Sequence, residues 1–163
     1  MNYLGITKTS LVNGSGVRTV LWVAGCSHKC PGCHNPITWE ADSGFEFTDD
    51  VEKELFTYLD ASVRDGLTLS GGDPLYIYNR AIITRLCKRV KYRYNDKKTI
   101  WMYTGYLWEQ VKQLEVMRYI DVLVDGPYIE NLKSDEYKCA GSTNQSIIDV
   151  PKSLKAKEVV IYE

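Results

Sequence analysis

Residues 66–74 read Gly-Leu-Thr-Leu-Ser-Gly-Gly-Asp-Pro, a short apolar strand that runs directly into a glycine-rich turn. Asn79 can cap the helix that follows, because apolar residues recur at helical spacing from Ile82 to Tyr94. Similar apolar runs, rich in β-branched and aromatic residues, lie at 18–24, 99–103 and 119–124. Strands that alternate with helices predict βαβ units and a mainly parallel sheet.

We therefore expect an α/β fold, an open, partial (β/α) barrel of mainly parallel strands, in a single domain over residues 1–163. A doubly wound open sheet is the alternative that the same connections allow. The carboxyl ends of parallel strands form one edge, so the loops after them should converge on one ligand. Four loops qualify: the cysteine-containing loop after residue 24, Gly71-Gly72-Asp73, Thr104-Gly105 and Asp125-Gly126.

The charge of the chain is nearly balanced, with 20 basic and 21 acidic residues and a formal net charge of −1. A general nucleic-acid or membrane-surface binder needs a basic excess, so we expect neither as a direct partner. The sequence shows no apolar run long enough to span a bilayer and no signal peptide. We expect a cytoplasmic protein.

Five cysteines are present, and three of them, Cys26, Cys30 and Cys33, fall within eight residues. The odd count and the crowding favour metal binding or thiol chemistry in a reducing compartment over a disulfide framework. The spacing C-x3-C-x2-C offers three thiolates to an iron–sulfur cluster and leaves a fourth iron open. The alternatives are a zinc site that uses His28 or His34 as its fourth ligand, and uncoordinated thiols.

Seven segments occur in an order that is typical of one family: Asn13–Arg18, Cys26 to Asn35, Thr38-Trp39, Leu69–Leu75, Trp101–Tyr106, Val122–Gly126 and Gly141–Gln145. With the C-x3-C-x2-C spacing, they make the chain similar to the activating enzymes of anaerobic (class III) ribonucleotide reductases, in the radical S-adenosylmethionine (SAM) superfamily. The resemblance covers nearly the whole chain.

The resemblance implies two cofactors, a 4Fe-4S cluster and SAM, whose amino and carboxylate groups chelate the open iron. The reduced cluster passes one electron to the sulfonium, and a carbon–sulfur bond breaks to give methionine and a 5′-deoxyadenosyl radical. That radical removes a hydrogen atom from the Cα of a glycine, leaving a glycyl radical. The implied partner is therefore the large glycyl-radical subunit of the reductase. The cofactors carry this chemistry, while the protein holds and shields them.

The resemblance also assigns roles to individual residues. It makes Cys26, Cys30 and Cys33 the metal ligands and places Gly71-Gly72-Asp73 against SAM. Glycines permit close approach of a backbone to a ligand, and a carboxylate can accept hydrogen bonds from an ammonium group. An ordinary strand-to-helix turn is the alternative interpretation of the glycine-rich segment.

Two further contacts with SAM are expected. The radical SAM superfamily often has an aromatic residue before the third cysteine, where this chain has Gly32. Either His34, which follows Cys33, supplies the ring, or backbone groups of residues 32–34 hold the adenine. A solvent-exposed loop position is the alternative for His34. Asp125 is expected to contact the ribose, or the carboxylate through a cation; the alternative is a turn formed with Gly126.

Reduction of a cluster needs an electron donor, and residues 80–98 offer eight basic residues against one acidic residue, Asp96. This stretch is either a solvated helix face or a docking face for a reduced flavodoxin-like protein. Two other functions stay open: a radical SAM enzyme that acts on a small molecule, and a small zinc-binding interaction module. The short chain leaves little material to enclose a small substrate and favours a protein substrate.

Overall fold

The computed structural model describes residues 1–95, 97–134 and 138–163. The strands are β1 (Asn2–Ser10), β2 (Arg18–Val23), β3 (Phe45–Glu46), β4 (Gly66–Gly71), β5 (Thr99–Tyr103), β6 (Val122–Asp125) and β7 (Ser146–Asp149). The helices are α1 (Asp49–Leu59), α2 (Arg80–Tyr94), α3 (Trp108–Val111) and α4 (Val150–Ala156). No helix in these described ranges is long and apolar enough to cross a membrane.

The strands form one open sheet in the order β3-β1-β2-β4-β5-β6-β7. Strands β2, β4, β5 and β6 are parallel, whereas the pairings of β1 with β2 and β3, and of β6 with β7, are antiparallel. The α/β class and the parallel centre agree with the sequence prediction, and the antiparallel edges are an addition to it. Curvature of this sheet into a partial barrel stays a prediction.

The two faces of the sheet differ because side chains alternate along each strand. Leu21, Leu69 and Met102 point to the face on which the helices pack, in a single apolar core. Trp101, Val122 and Val124 form a smaller cluster on the other face. All four helices contribute to the first core, so helices cover one face of the sheet and leave the other for loops.

Local sequence signals explain most of the helix boundaries. Thr48 caps α1, because its side-chain oxygen accepts a hydrogen bond from the N–H of Val51. On α2, the apolar side faces the core, and Cys87 is fully buried there. Asn79 stands at the N-cap position of α2 but makes no side-chain capping bond, and its amide nitrogen donates to the carbonyl oxygens of Ala24 and Asp73. The predicted helix start at Asn79 is therefore confirmed, whereas the predicted side-chain cap is not formed.

The chain after residue 106 differs most from the prediction. Apolar residues at 107, 111, 114 and 117 predict a third helix, but the structure has a single helical turn there, α3, followed by a short 3-10 helix at Glu115–Arg118. Short apolar runs at 147–150 and 158–162 predict two strands in the polar tail; among the described residues of the tail the first forms β7, which is followed by α4, and the second forms no named strand. Asp149 caps α4 and a proline occupies its first turn, which are standard signals for a helix start.

Candidate functional site

The cysteine loop follows β2 directly and is anchored at both ends by backbone hydrogen bonds. The N–H of Gly25 donates to the carbonyl of Thr38, and the N–H of Cys26 donates to that of Trp39, at 2.8 and 2.9 Å. Within the loop, the N–H of Cys33 donates to the carbonyl of Cys30 at 3.1 Å. The short tether between its two ends holds the loop at the carboxyl edge of the parallel strands.

The three thiols of this loop are free and half-buried. Burial raises the pKa of the Cys26 thiol. The N–H of Asn35 donates to Cys33 Sγ at 3.4 Å, an amide–sulfur contact of the kind that tunes iron–sulfur potentials. Among residues 1–95, 97–134 and 138–163, no three His, Cys, Asp or Glu side chains surround one point closely enough to hold a single metal ion.

A cavity of about 320 Å³ lies beside the three thiols. The ends of all four parallel strands line it, together with the 141–145 segment that precedes β7. The structure thus brings together the cysteine loop and parts of the other three predicted loops. The members of the lining that come from those three loops are Gly71, Gly72, Thr104, Gly105 and Gly126.

The glycine-rich turn is close-packed against backbone. A Cβ on Gly72 would lie 2.5 Å from the carbonyl oxygen of Gly25 and 2.8 Å from that of Thr38. Gly71 has a φ of +110°, and a Cβ there would lie 2.6 Å from the carbonyl oxygen of Val23. The space at Gly72 is therefore filled by the base of the cysteine loop, so our expectation that it is kept free for a ligand is wrong.

The two aspartates expected to contact SAM lie outside the lining of this cavity. Asp73 is 1 % exposed and accepts hydrogen bonds from neighbouring backbone and side chains. Asp125 accepts from the N–H of Trp108 at 2.7 Å and from that of Ser146 at 3.0 Å. Both carboxylates fasten loops at the ends of strands, and direct contact of either with SAM stays a prediction.

His34 lines the cavity and Gly32 does not. The imidazole of His34 lies 4.7 Å from the ring of Tyr128, measured between centroids, and the two planes are tilted by 51°. Gly32 is exposed and adjoins the carboxylate of Glu130. An aromatic pair therefore stands at the position where the resemblance places a ring contact for adenine, and the contact itself stays a prediction.

Several groups that line the cavity were given no site role from the sequence. Trp22 and Tyr103 project from β2 and β5, and Tyr128 follows β6. Burial raises the pKa of Tyr103, which keeps its hydroxyl protonated at neutral pH. Gln145 links its own segment to β6, because its Oε1 accepts from the N–H of Gly141 and its Nε2 donates to the carbonyl of Gly126. Strand alternation could have identified Trp22 and Tyr103.

Much of the positive charge on α2 is compensated by ion pairs. Arg85 and Arg89 both contact the buried carboxylate of Glu52, and Arg93 pairs with Asp60 at 2.7 Å. Asp96, the acidic residue of this stretch, lies outside the described residues. The predicted docking of an electron donor at the stretch stays a prediction, with less free charge than the sequence suggested.

The position of α2 is also unfavourable for electron entry. The helix starts beside the carboxyl edge of the sheet and runs away from it, since β5 begins five residues after α2 ends. Lys91 pairs with Asp121, which stands just before β6, at the edge opposite to the cysteine loop.

The donor set and the space fit an iron–sulfur cluster with SAM beside it. Three thiols on one wall of the cavity provide three ligands, which suits a cluster that keeps one iron open. The volume of about 320 Å³ lies near the lower end of the range for small-molecule sites, roughly 300–1,000 Å³. Backbone of a glycine-rich turn and several aromatic rings complete the lining.

Comparison with known proteins is consistent with this fit. The family described as "4Fe-4S single cluster domain" matches residues 12–148. An anaerobic ribonucleoside-triphosphate reductase-activating protein of Enterobacteria phage T4 is 48 % identical over 147 residues, which cover 90 % of this chain and 93 % of the relative. Proteins of the same name from Escherichia coli K12 and Vibrio cholerae are 39 and 40 % identical over 151 residues, covering 90 % of this chain and 97 % of each relative.

These similarities extend over the cysteine loop, the four parallel strands and the cavity between them. The chain belongs to the 4Fe-4S single cluster domain family, among the anaerobic ribonucleoside-triphosphate reductase-activating proteins.

Proposed function

We propose that this protein activates an anaerobic ribonucleoside-triphosphate reductase by generating a glycyl radical on its large subunit. Cys26, Cys30 and Cys33 would hold a 4Fe-4S cluster, and SAM would occupy the adjoining cavity. With both bound, an electron from an external donor would pass through the cluster to cleave SAM reductively, and the cleavage product would remove a hydrogen atom from the glycine. Free thiols persist in a reducing compartment, so we place this activity in the cytoplasm.

The observation that carries the proposal is the shared cavity. Three free thiols from one short loop line the same space as the ends of all four parallel strands. Ligands of α/β folds bind at this edge, and a radical reaction needs its reactants held close together and away from solvent. The relatives named above are activating proteins of the same reductase class, which supports the reductase as the partner.

The residues of the chain would bind and orient the cofactors and shield them from solvent. The backbone of Gly71 and Gly72 would offer polar groups to SAM at the cavity wall, and His34 with Tyr128 would offer a ring surface for adenine. Tyr103 provides a protonated hydroxyl at the cavity wall.

Exposed apolar side chains on the loops after the parallel strands support a protein substrate over a small one. The exposed fractions are 68 % for Ile37, 59 % for Ile77, 50 % for Leu107 and 40 % for Ile129. These residues follow β2, β4, β5 and β6 respectively, at the edge where the cavity lies. Apolar side chains around a cavity are typical of a surface that a protein covers.

The direct test is electron paramagnetic resonance on the anaerobic, iron-reconstituted protein mixed with SAM, dithionite and the reductase. We expect a glycyl radical signal that depends on SAM, and methionine formed in proportion to it. Cys30→Ala should abolish the signal. Cys87→Ala is the matched control, because this thiol is fully buried in the core away from the cavity.

Three results would contradict the proposal. Zinc without iron or acid-labile sulfide in the purified protein would favour an interaction module. Cleavage of SAM with no radical on the reductase would favour a small-molecule substrate. A glycyl radical formed by Cys30→Ala would show that the loop is not the cluster site.

The electron donor belongs to the same proposal. A reduced flavodoxin-like protein would supply the electron in the cell. The placement of the thiols favours approach of the donor from the cysteine-loop side of the molecule. The end of α2 that carries Lys91 lies toward the opposite edge of the sheet. Dithionite replaces this donor in the test above, so donor identity does not affect its outcome.

A further inference from the structure

The carboxylate of Asp73 is saturated with hydrogen bonds. Its oxygens accept from the N–H of Leu75 at 2.8 Å, from the hydroxyl of Thr104 at 2.9 Å and from the N–H of Gly105 at 3.0 Å. The fourth partner is His28, whose Nε2 lies 2.8 Å from Oδ2. A carboxylate offers about four acceptor sites, so Asp73 has none left for a ligand.

In the sequence, His28 lies midway between Cys26 and Cys30, and contacts on several sides hold its side chain in place. Its ring makes an edge contact with Tyr106, with centroids 4.5 Å apart and planes at 77°. Gly105 lies directly against the imidazole, and any side chain at that position would collide with it. Only 18 % of the His28 side chain is exposed.

The backbone beside His28 is strained. Lys29 has a φ of +46°, in the left-handed region that a residue with a side chain seldom adopts. Such a conformation persists where the surroundings hold it in place. The neighbouring residue His28 makes buried contacts that can hold this backbone in place. The ion pair of Lys29 with Glu40 is exposed and is less suited to do so.

We propose that the His28–Asp73 hydrogen bond is a latch that sets the position of the segment from Cys26 to Cys30 relative to the ends of β4 and β5. Asp73 is then a positioning residue that acts through His28, and it does not bind SAM. The latch fixes where two of the cluster ligands stand relative to the glycine-rich turn. This inference rests on the proposed function, because it assumes that the loop holds the cluster.

The test compares His28→Phe, which keeps a ring but removes the donor, with His28→Gln, whose amide N–H can reach the same oxygen. Each full-length protein is reconstituted with iron and sulfide, and the release of iron to a chelator is timed. The spectrum of the reduced cluster is recorded by electron paramagnetic resonance with and without SAM. We expect iron release about tenfold faster in His28→Phe, equivalent to about 1.4 kcal/mol, and nearly normal release in His28→Gln.

Asp73→Asn supplies the second arm, in a double-mutant cycle with His28→Phe. If the two residues act through one hydrogen bond, the double variant should release iron no faster than the more affected single variant. The SAM-induced spectral change should require more SAM in both single variants and by a similar factor. Glu40→Gln is the matched control, since it removes the exposed ion pair of the same loop and should leave both readouts unchanged.

Several outcomes would overturn the latch. Impaired iron release in His28→Gln with normal release in His28→Phe would assign the role to ring packing on Tyr106. Additive effects of the two substitutions, or weaker SAM binding by Asp73→Asn with normal iron release, would restore Asp73 as a SAM contact. Wild-type behaviour of His28→Phe would dismiss the latch altogether. Failure of the unmutated protein to take up iron would instead refute the proposed function, and circular dichroism of each variant separates these results from loss of folding.

Discussion

Gly72 packs directly on the carbonyl oxygen of Gly25, the residue that precedes the first cysteine of the loop. A Cβ at Gly72 would lie 2.5 Å from that oxygen, far inside van der Waals contact. The N–H of Asp73 also donates to the same oxygen, at 2.8 Å. The glycine-rich turn and the cysteine loop therefore form one packed unit, and a change in either one displaces the other.

This packing predicts that Gly72→Ala impairs cluster binding as well as SAM binding. The added methyl group pushes the base of the cysteine loop away from β4 and moves Cys26. We expect the iron content after reconstitution to fall, as measured by iron and sulfide analysis. Gly5→Ala is the control for general destabilisation: its φ of +159° strains an alanine, but a Cβ there meets nothing within 4 Å, so its iron content should stay normal. Weaker SAM binding with full iron content would instead favour our first view of Gly72 as a ligand contact.

Single substitutions should distinguish the three loop cysteines from the other two cysteines by their effect on the cluster. Cys26→Ala, Cys30→Ala and Cys33→Ala should each lose the intact cluster, since each removes one of three ligands. Cys139→Ala should keep it, because Cys139 packs with Tyr103 and Trp101 on the loop-covered face of the sheet and does not line the cavity. The visible absorption of the reconstituted proteins measures this, and a normal spectrum for Cys30→Ala would refute the ligand assignment.

Arg18→Met should destabilise the fold. Arg18 is fully buried, and its guanidinium donates to the carbonyl oxygens of Leu67 and Thr99 at 2.6 and 2.8 Å. Burial lowers the pKa of Arg18 to about 10, so the group remains a cation at neutral pH. Each carbonyl left without a donor costs about 1–3 kcal/mol, and we expect the free energy of unfolding in urea to fall by about 3 kcal/mol.

The control for that experiment is Arg93→Met, which breaks an exposed ion pair with Asp60. Such pairs contribute about 0–1 kcal/mol. Equal loss of stability in the two variants would mean that the buried hydrogen bonds of Arg18 contribute no more than a surface contact.

The apolar side chains around the cavity should contribute to binding of the reductase. We expect the double variant Ile77→Ser, Ile129→Ser to bind the reductase at least about tenfold more weakly, since burial of one such side chain contributes about 1.5–3 kcal/mol. Isothermal titration calorimetry measures the affinity. SAM cleavage with dithionite alone should be unchanged. Tyr92→Ser is the control, as this residue is 92 % exposed and lies on α2, and equal weakening by it would contradict a docking surface at the strand ends.

Reversal of charge on α2 should have little effect on electron delivery. Lys88→Glu is a cleaner test than changes at Arg85 and Arg89, whose loss would leave the buried carboxylate of Glu52 without its partners. We expect donor-driven SAM cleavage to stay within about twofold of normal at low salt. Slower cleavage that recovers at higher salt, with dithionite-driven cleavage intact, would instead identify α2 as the docking face.

The sequence was informative about the centre of the fold, because the relevant signals are local there. Apolar strands, a Thr48 cap and a helical stripe that includes Cys87 each depend on a few neighbouring residues. The antiparallel orientation of the edge strands and the helix α4 were not predicted, although Asp149 and the following proline are recognisable helix-start signals. Polar composition outweighed those signals in our reading of the tail.

The candidate site was predictable by residue type but not by the direction of each side chain. Spacing identified the cysteine loop, and strand order placed four loops at one edge. Whether Asp73 faces the cavity or the loop behind it depends on His28 and Thr104, which are 45 and 31 residues away in the chain. Contacts over such separations leave no pattern in a single sequence, so the ligand role of Asp73 could not be distinguished from a structural one.

Arg18 has a consequence for the timing of the proposed reaction. It shares a face of β2 with Trp22 and bonds to Thr68, so it fills the amino end of the sheet face on which the cavity lies. Small molecules would then exchange at the strand-carboxyl end, where the proposed docking surface for the reductase also lies. This predicts a compulsory order of events. SAM enters before the two proteins associate, and methionine and 5′-deoxyadenosine leave after they separate, so each activation event ends with dissociation of the complex.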